Sequence, residues 1–255
     1  LAITTNDFVS SPLTTAAIAS TTGLVNNQTV SAVNVNGKNV SLTFGENTLA
    51  SNYSTTLVVP SASGADLNVN RELTLAEGLN LTLRADKNIN INSVIDATAG
   101  TGGKVTLEYG QGAVAANNTA EYILKLTNEG FEGKVHLDAG QNFATKLGSD
   151  GTPTNFTVIT ELGAQGSRSR KDLQGIWGDA TGRYVLGADI DASATATWNN
   201  GQGFEPITGG INRGTPIAYQ GTFDGLGHRV NNLFINRAGD VGLFVETRSA
   251  QLRHL

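Results

Sequence analysis

Residues 221–244 read Gly-Thr-Phe-Asp-Gly-Leu-Gly-His-Arg-Val-Asn-Asn-Leu-Phe-Ile-Asn-Arg-Ala-Gly-Asp-Val-Gly-Leu-Phe. Phe223, Leu226, Val230, Leu233, Ile235, Val241, Leu243 and Phe244 come in short apolar clusters. Glycines and the Asn231-Asn232 pair punctuate them. No cluster is long enough for a helix, and each glycine inside one would cost about 1 kcal/mol. The pattern predicts very short strands, each inserting a few side chains into a core and joined by tight bends. One such unit cannot bury its own apolar face, so it needs neighbours stacked on it.

Working outward, the same logic recurs. Val33-Asn34-Val35-Asn36 and Val40 to Phe44 alternate apolar with small polar residues, the pattern of a half-buried strand. The phrase returns as Leu67-Asn68-Val69-Asn70 with Leu73-Thr74-Leu75, and again as Asn88-Ile89-Asn90-Ile91-Asn92. Ile95-Asp96-Ala97-Thr98-Ala99 is echoed by Ile190-Asp191-Ala192-Ser193-Ala194. Further strands are predicted at residues 79–83, 104–109, 134–138, 156–160, 183–186, 241–245 and 251–255. Asparagines beside strand apolars can stack their amides along a ladder. These degenerate repeats predict an all-β chain, a right-handed parallel β-helix or solenoid. A β-sandwich, the alternative, needs more regular hairpin turns. Three stretches break the rhythm: residues 110–130, 161–182 and 191–218. They are expected to project as loops, where recognition concentrates. A short helix is expected at residues 11–19. Residues 1–30 are expected to form an N-terminal cap or flanking segment, with 31–255 as the β-helix, cut at its C-terminus and open at that edge.

The 221–244 stretch also carries a resemblance. Gly221 to His228, Asn232-Leu233-Phe234-Ile235 and Gly242-Leu243-Phe244 resemble the GLUG segment of large bacterial surface proteins. Tyr184 to Ala192, Trp198 through Ile207, Ala85 to Asn92 and Leu107 to Gly112 are similar to filamentous-haemagglutinin-like and high-molecular-weight adhesins. Val245 stands where that motif commonly has glycine. The resemblance covers roughly residues 65–255. It implies a secreted or bacterial cell-surface segment that is not an enzyme, exported in its parent chain by an outer-membrane two-partner-secretion transporter. Its implied partners are a host-cell surface glycan or a protein receptor. Two other functions stand beside it: a carbohydrate-active β-helix enzyme, lyase or hydrolase, and a module that captures a host protein.

Composition narrows the classes. The chain has 255 residues, 31 of them glycine, with 15% charged and 39% hydrophobic residues. It can therefore bury a core, unlike a disordered chain. A net charge of −5 argues against a nucleic-acid partner. Arg168, Arg170 and Lys171 form its one basic knot, read as solvated. Cysteine is absent, so no disulfide, thiolate metal site or catalytic thiol exists. That suits passage through a narrow export pore into an oxidising compartment. Methionine is absent too, and the expectation is a piece of something larger. No apolar run approaches a membrane span.

The enzyme alternative would draw on Asp189, Asp191, Asp224 and Asp240, with His228 nearby. Each carboxylate lies in a turn-like phrase, so capping of local backbone is the simpler role. Asp189 and Asp191 share one strand face and could hold a cation weakly. His136 is expected to face outward and His254 to lie in the truncated C-terminal end. No metal spacing, calcium loop, phosphate cradle or nucleophile elbow is present, and no cofactor is expected. Asn27, Asn39, Asn52, Asn80, Asn117 and Asn155 each head an Asn-x-Ser/Thr triplet and are candidate glycosylation sites.

Overall fold

The computed structural model describes residues 30–36, 39–44, 56–61, 63–75, 80–100, 103–239 and 241–255, with side chains from residue 60 onward. The helix expected at 11–19, most of the expected cap and Asp240 lie outside these residues. The described chain divides into two compact units: residues up to 138 together with 142–155, and residues 139–141 together with 156–255.

The first unit opens with β1 (Val30–Asn36), β2 (Asn39–Phe44), β3 (Thr56–Pro60), β4 (Leu67–Val69) and β5 (Leu73–Thr74). It continues with β6 (Asn80–Arg84), β7 (Ile89–Ile91), β8 (Val94–Asp96) and β9 (Val105–Tyr109). Then come β10 (Tyr122–Leu124), β11 (Leu126–Thr127), β12 (Gly130–Phe131), β13 (Lys134–His136) and β14 (Gly140–Leu147). These strands build three parallel ladders, β2-β4-β7-β10, β5-β8-β13 and β3-β6-β9-β14. From β4 onward the chain visits the ladders in a fixed order: β4, β5, β6, then β7, β8, β9, then β10, β13, β14.

Alternation decides what each ladder buries. Leu67 and Val69 sit in register with Ile89 and Ile91, and Leu81 and Leu83 with Val105 and Leu107. All eight are at most 1% exposed. Burying each such side chain contributes about 1.5–3 kcal/mol. Between them the polar residues face out and bond to the next strand. Asn90 Nδ2 donates to Asn68 Oδ1 (2.8 Å), and Asn92 Nδ2 to Asn70 Oδ1 (2.8 Å). The expected amide ladder is present. Its period is 22 residues, the spacing of these pairs. The earlier phrase Val33 to Asn36 belongs to β1, which pairs antiparallel with β2 at the edge of that ladder and is not part of the parallel series.

The second unit holds β15 (Thr154–Ile159), β16 (Arg183–Leu186), β17 (Ile190–Asp191), β18 (Ile211–Asn212), β19 (Thr215–Pro216), β20 (Thr222–Asp224), β21 (Val230–Asn231) and β22 (Gln251–Arg253). β15-β16-β20-β22 form one parallel ladder and β17-β21 a second, while β18-β19 is an antiparallel hairpin. The stretches expected to project do not merely project. Leu162, Leu173 and Ile176 from the stretch 161–182, and Trp198, Phe204 and Ile207 from 191–218, join Tyr184, Tyr219 and Phe223 in one buried cluster. Two 3-10 helical stretches, 174–176 and 193–201, carry some of these residues inward. The strand expected at 241–245 is a bend with one bridge, Phe244 to Ile207. Phe244 earns its place by stacking on Tyr219 (centroids 5.0 Å) and meeting Phe223 edge-on (5.5 Å).

Candidate functional site

Of the four carboxylates singled out in the sequence, Asp240 lies outside the described residues. Asp191 and Asp224 accept backbone N–H groups two residues on, Asp189 accepts one from Arg229, and Asp189 and Asp224 also meet a histidine. Asp224 occupies β20 on the face opposite Phe223, in register with Val185, and is fully buried. Its Oδ1 accepts the Leu226 N–H (2.8 Å), closing a bend in which Leu226 and Gly227 take positive φ of 45° and 84°. The same oxygen lies 2.9 Å from Nδ1 of His254, carried beside it because Arg253 of β22 pairs with Asp224. Sequence proximity pointed to His228 as the neighbour of Asp224. The ladder instead brings His228 to Asp189, Nδ1 to Oδ1 3.1 Å, because Ile190 pairs with Val230. Asp189 Oδ1 also accepts the Arg229 N–H (3.0 Å). The His228 side chain is 2% exposed, which puts its ring beyond the reach of a polymer in solution.

Asp189 and Asp191 do share the outer face of their strand, with Ile190 buried between them. Asp191 is tied to Asn232 Nδ2 (3.1 Å), the Ser193 N–H (3.0 Å) and the Ser193 hydroxyl (3.0 Å). The bond from Asn232 and then those from Ser193 favour its charged form, holding its carboxyl below the ordinary range. Among the described residues no three His, Asp or Glu side chains are grouped to hold a metal ion. His136 is half-exposed between buried Val135 and Leu137, as alternation requires.

Chemistry absent from the sequence reading centres on Tyr184 and Tyr219. Tyr184 donates to Asp179 Oδ2 (2.7 Å), and burial, then that bond, drives its phenol far above the ordinary tyrosine range. Tyr219 shares its hydroxyl between the carbonyls of Gly182 and Thr222 (2.8 Å each), and burial raises it likewise. Both are anchors of the fold. The basic knot is partly engaged: Arg168 lies 3.8 Å over the Trp177 ring and 2.9 Å from Glu205.

Of the glycosylation candidates, Asn27 and Asn52 lie outside the described residues, as does the side chain of Asn39. Asn80 is half-buried and its Oδ1 accepts the Lys104 N–H (3.0 Å). Asn155 is exposed and accepts from Lys104 Nζ (3.0 Å). Asn117 is exposed in the 110–120 loop at a φ of 60°.

No protein-family model and no solved structure matches the chain. A stretch of 108 residues, 40% of the chain, is 43% identical to halomucin of Haloquadratum walsbyi (strain DSM 16790 / HBSQ001). That stretch spans 1% of halomucin, so the relative is a far longer protein than the chain described here.

Proposed function

We propose that the chain is a non-enzymatic segment of a very long surface protein of the adhesin type, in which each unit is a stretch of right-handed parallel β-helix that presents loops for attachment. The observation that carries this reading is the fixed order in which the chain visits its three parallel ladders, with apolar residues stacked in register at each pass. A strand-crossover-strand connection within one parallel sheet is right-handed in about 98% of cases, which favours the right hand. The match to a protein of much greater length supports a segment of a long chain, and halomucin is by its name a mucin. Among the described residues no helix is long and apolar enough to cross a membrane. The GLUG-type and filamentous-haemagglutinin-like resemblance adds export by a two-partner-secretion transporter and a host-surface glycan or protein receptor.

Burial of Asp224 and of the His228 ring supports the non-enzymatic part, because a β-helix lyase or hydrolase needs its acids in an open groove. The test is attachment. Microspheres coated with the chain should be retained on cultured epithelial cells above uncoated ones, and the chain should leave pectic, glucan and glycosaminoglycan polymers intact. Equal retention of coated and bare spheres would defeat the attachment reading. Polymer cleavage abolished by Asp224→Asn would replace it with the enzyme.

A further inference from the structure

A cavity of about 460 Å³ opens on the first unit, away from the carboxylates discussed above. That is within the roughly 300–1,000 Å³ range of small-molecule sites. It is lined by Gly64, by the bend Asp86 to Asn88, and by the loop through Gly112, Ala113 and Asn118 to Ala120. The loop belongs to one of the stretches that break the sequence rhythm.

The walls are held in place before any ligand arrives. Asn118 Nδ2 donates to the Gly110 carbonyl (2.8 Å) and the Val114 carbonyl (3.2 Å), while its Oδ1 accepts the Ala120 N–H (3.1 Å). The Gly110, Gln111 and Gly112 N–H groups donate to the carbonyls of Lys87, Ala85 and Asp86 at 2.7, 2.9 and 3.1 Å. Asp150 Oδ1 accepts the Ala115 N–H (2.7 Å) from the far side. Gly112 keeps the gap open: a Cβ there would meet the Asp86 carbonyl oxygen at 3.2 Å and the Asp86 Cβ at 3.3 Å.

Against these fixed walls, several polar atoms keep bonding capacity. Asp86 Oδ2 accepts the Gly64 N–H (2.6 Å), and Asn88 Oδ1 accepts the Glu121 N–H (2.9 Å). Among the described residues, Asp86 Oδ1, Lys87 Nζ, Asn88 Nδ2 and the Thr119 hydroxyl have no partner. The set alternates an acceptor, two donors and a group that is both. Its two charges are adjacent and opposite, so the lining carries no net charge to favour an anion or a cation. Vicinal hydroxyls, each able to donate and accept, match that alternation. Ala113 and Ala120 offer a small apolar floor for the C–H face of a ring.

We propose that this groove binds a neutral saccharide, with vicinal hydroxyls bridging Asp86, Asn88 and Thr119. The proposal rests on the attachment reading above and names its ligand class. Without an aromatic platform, the dissociation constant is on the order of 1 mM.

Saturation-transfer NMR and titration of the whole chain with methyl glucoside, lactose, mannobiose, diacetylchitobiose and 3′-sialyllactose test it. At least one neutral sugar should bind. Asp86→Asn, whose amide oxygen can still accept from Gly64, should weaken it about tenfold or more. Ala113→Trp should abolish binding by filling the groove, and Lys87→Ala should cost about threefold or less. The proposal is overturned if no neutral sugar binds at about ten times the expected constant. It is overturned equally if binding survives both Asp86→Asn and Ala113→Trp. Binding of sialyllactose alone, lost in Lys87→Ala, would also overturn it. Should Ala113→Trp fail to fold, Asp86→Asn decides. Microspheres retained without any sugar binding would refute the groove and spare attachment, whereas sugar binding without retention would do the reverse.

Discussion

Replacing Gly221 by alanine tests how closely successive passes of the chain pack. Gly221 immediately precedes β20, and Gly182 immediately precedes β16, its neighbour in the ladder. The Gly182 carbonyl accepts the Thr222 N–H (3.1 Å) and the Tyr219 hydroxyl (2.8 Å). A Cβ on Gly221 would fall against that same oxygen, well inside 3.0 Å, and 2.6 Å from the Tyr219 hydroxyl. Roughly 1 Å of separation would have to be found between two backbones, neither of which can rotate away. Overpacking costs about 1–3 kcal/mol. The two strained hydrogen bonds add about 0.5–1.5 kcal/mol each. Reduced freedom of the unfolded chain returns about 0.4–1 kcal/mol, because Gly221 does not occupy the left-handed region. The net expectation is a loss of about 1–6 kcal/mol, centred near 3 kcal/mol. Gly214→Ala is the control. It has a φ of 85° and nothing within 4 Å of an added Cβ, so it should cost only the left-handed strain, about 1–2 kcal/mol. Urea unfolding followed by tryptophan fluorescence reports the second unit, where Trp177 and Trp198 both lie. A neutral or stabilising Gly221→Ala, or one no worse than Gly214→Ala, would refute the close approach.

Two further outcomes follow from the same packing. Asn90→Ala removes the 2.8 Å amide bond to Asn68 and should cost about 0.5–1.5 kcal/mol in thermal or urea unfolding, and a silent substitution would show that the ladder is decorative. Tyr184 and Tyr219 bind their protons more tightly folded than unfolded, so their contribution is intact below the ordinary tyrosine pKa of about 10 and is lost as pH rises above it. Phenolate absorbance should therefore show these two ionising only with alkaline unfolding, and titration of all the tyrosines near pH 10 would contradict their burial.

Legibility in the sequence tracked alternation. The strands at 67–69, 80–84, 89–91 and 105–109 announce themselves because each buries an apolar side chain at every second position and leaves polar ones between. β14 was not legible: Gly140-Gln-Asn-Phe-Ala-Thr-Lys-Leu buries Phe143, Ala144 and Thr145 consecutively, so no period of two exists to read. β10 and the β11–β12 hairpin hid in a stretch whose glycines and asparagines read as loop. The strand expected at 241–245 failed for the opposite reason. Its apolar residues satisfy the pattern, yet Phe244 packs against the rings of Tyr219 and Phe223 and keeps a single bridge, to Ile207, in place of a ladder. The Asp–His pairs could not be seen at all, because residues about 30 and 39 positions apart meet only once the register is known.

What the sequence does repeat legibly is a corner, and the structure explains why. Ile95-Asp96-Ala97-Thr98 and Ile190-Asp191-Ala192-Ser193 lie in different units, yet each Ile is buried and each Ala is at most 1% exposed. In the first, Asp96 Oδ1 accepts both the Thr98 N–H (3.0 Å) and its hydroxyl (2.7 Å). In the second, the Asp191 carboxylate accepts the N–H and hydroxyl of Ser193. Both phrases lie on a strand that pairs parallel with one about 40 residues later, Ile95 with Val135 and Ile190 with Val230. A strand core accepts any apolar residue of about the right size, so it drifts freely. A corner has to end the strand, keep a small residue inside and satisfy the next N–H, which few residue combinations achieve. Asp191 and Asp224, two of the carboxylates that first suggested catalysis, are thus accounted for by the bends they close, and the groove beside Asp86 is where the proposed sugar would meet the chain.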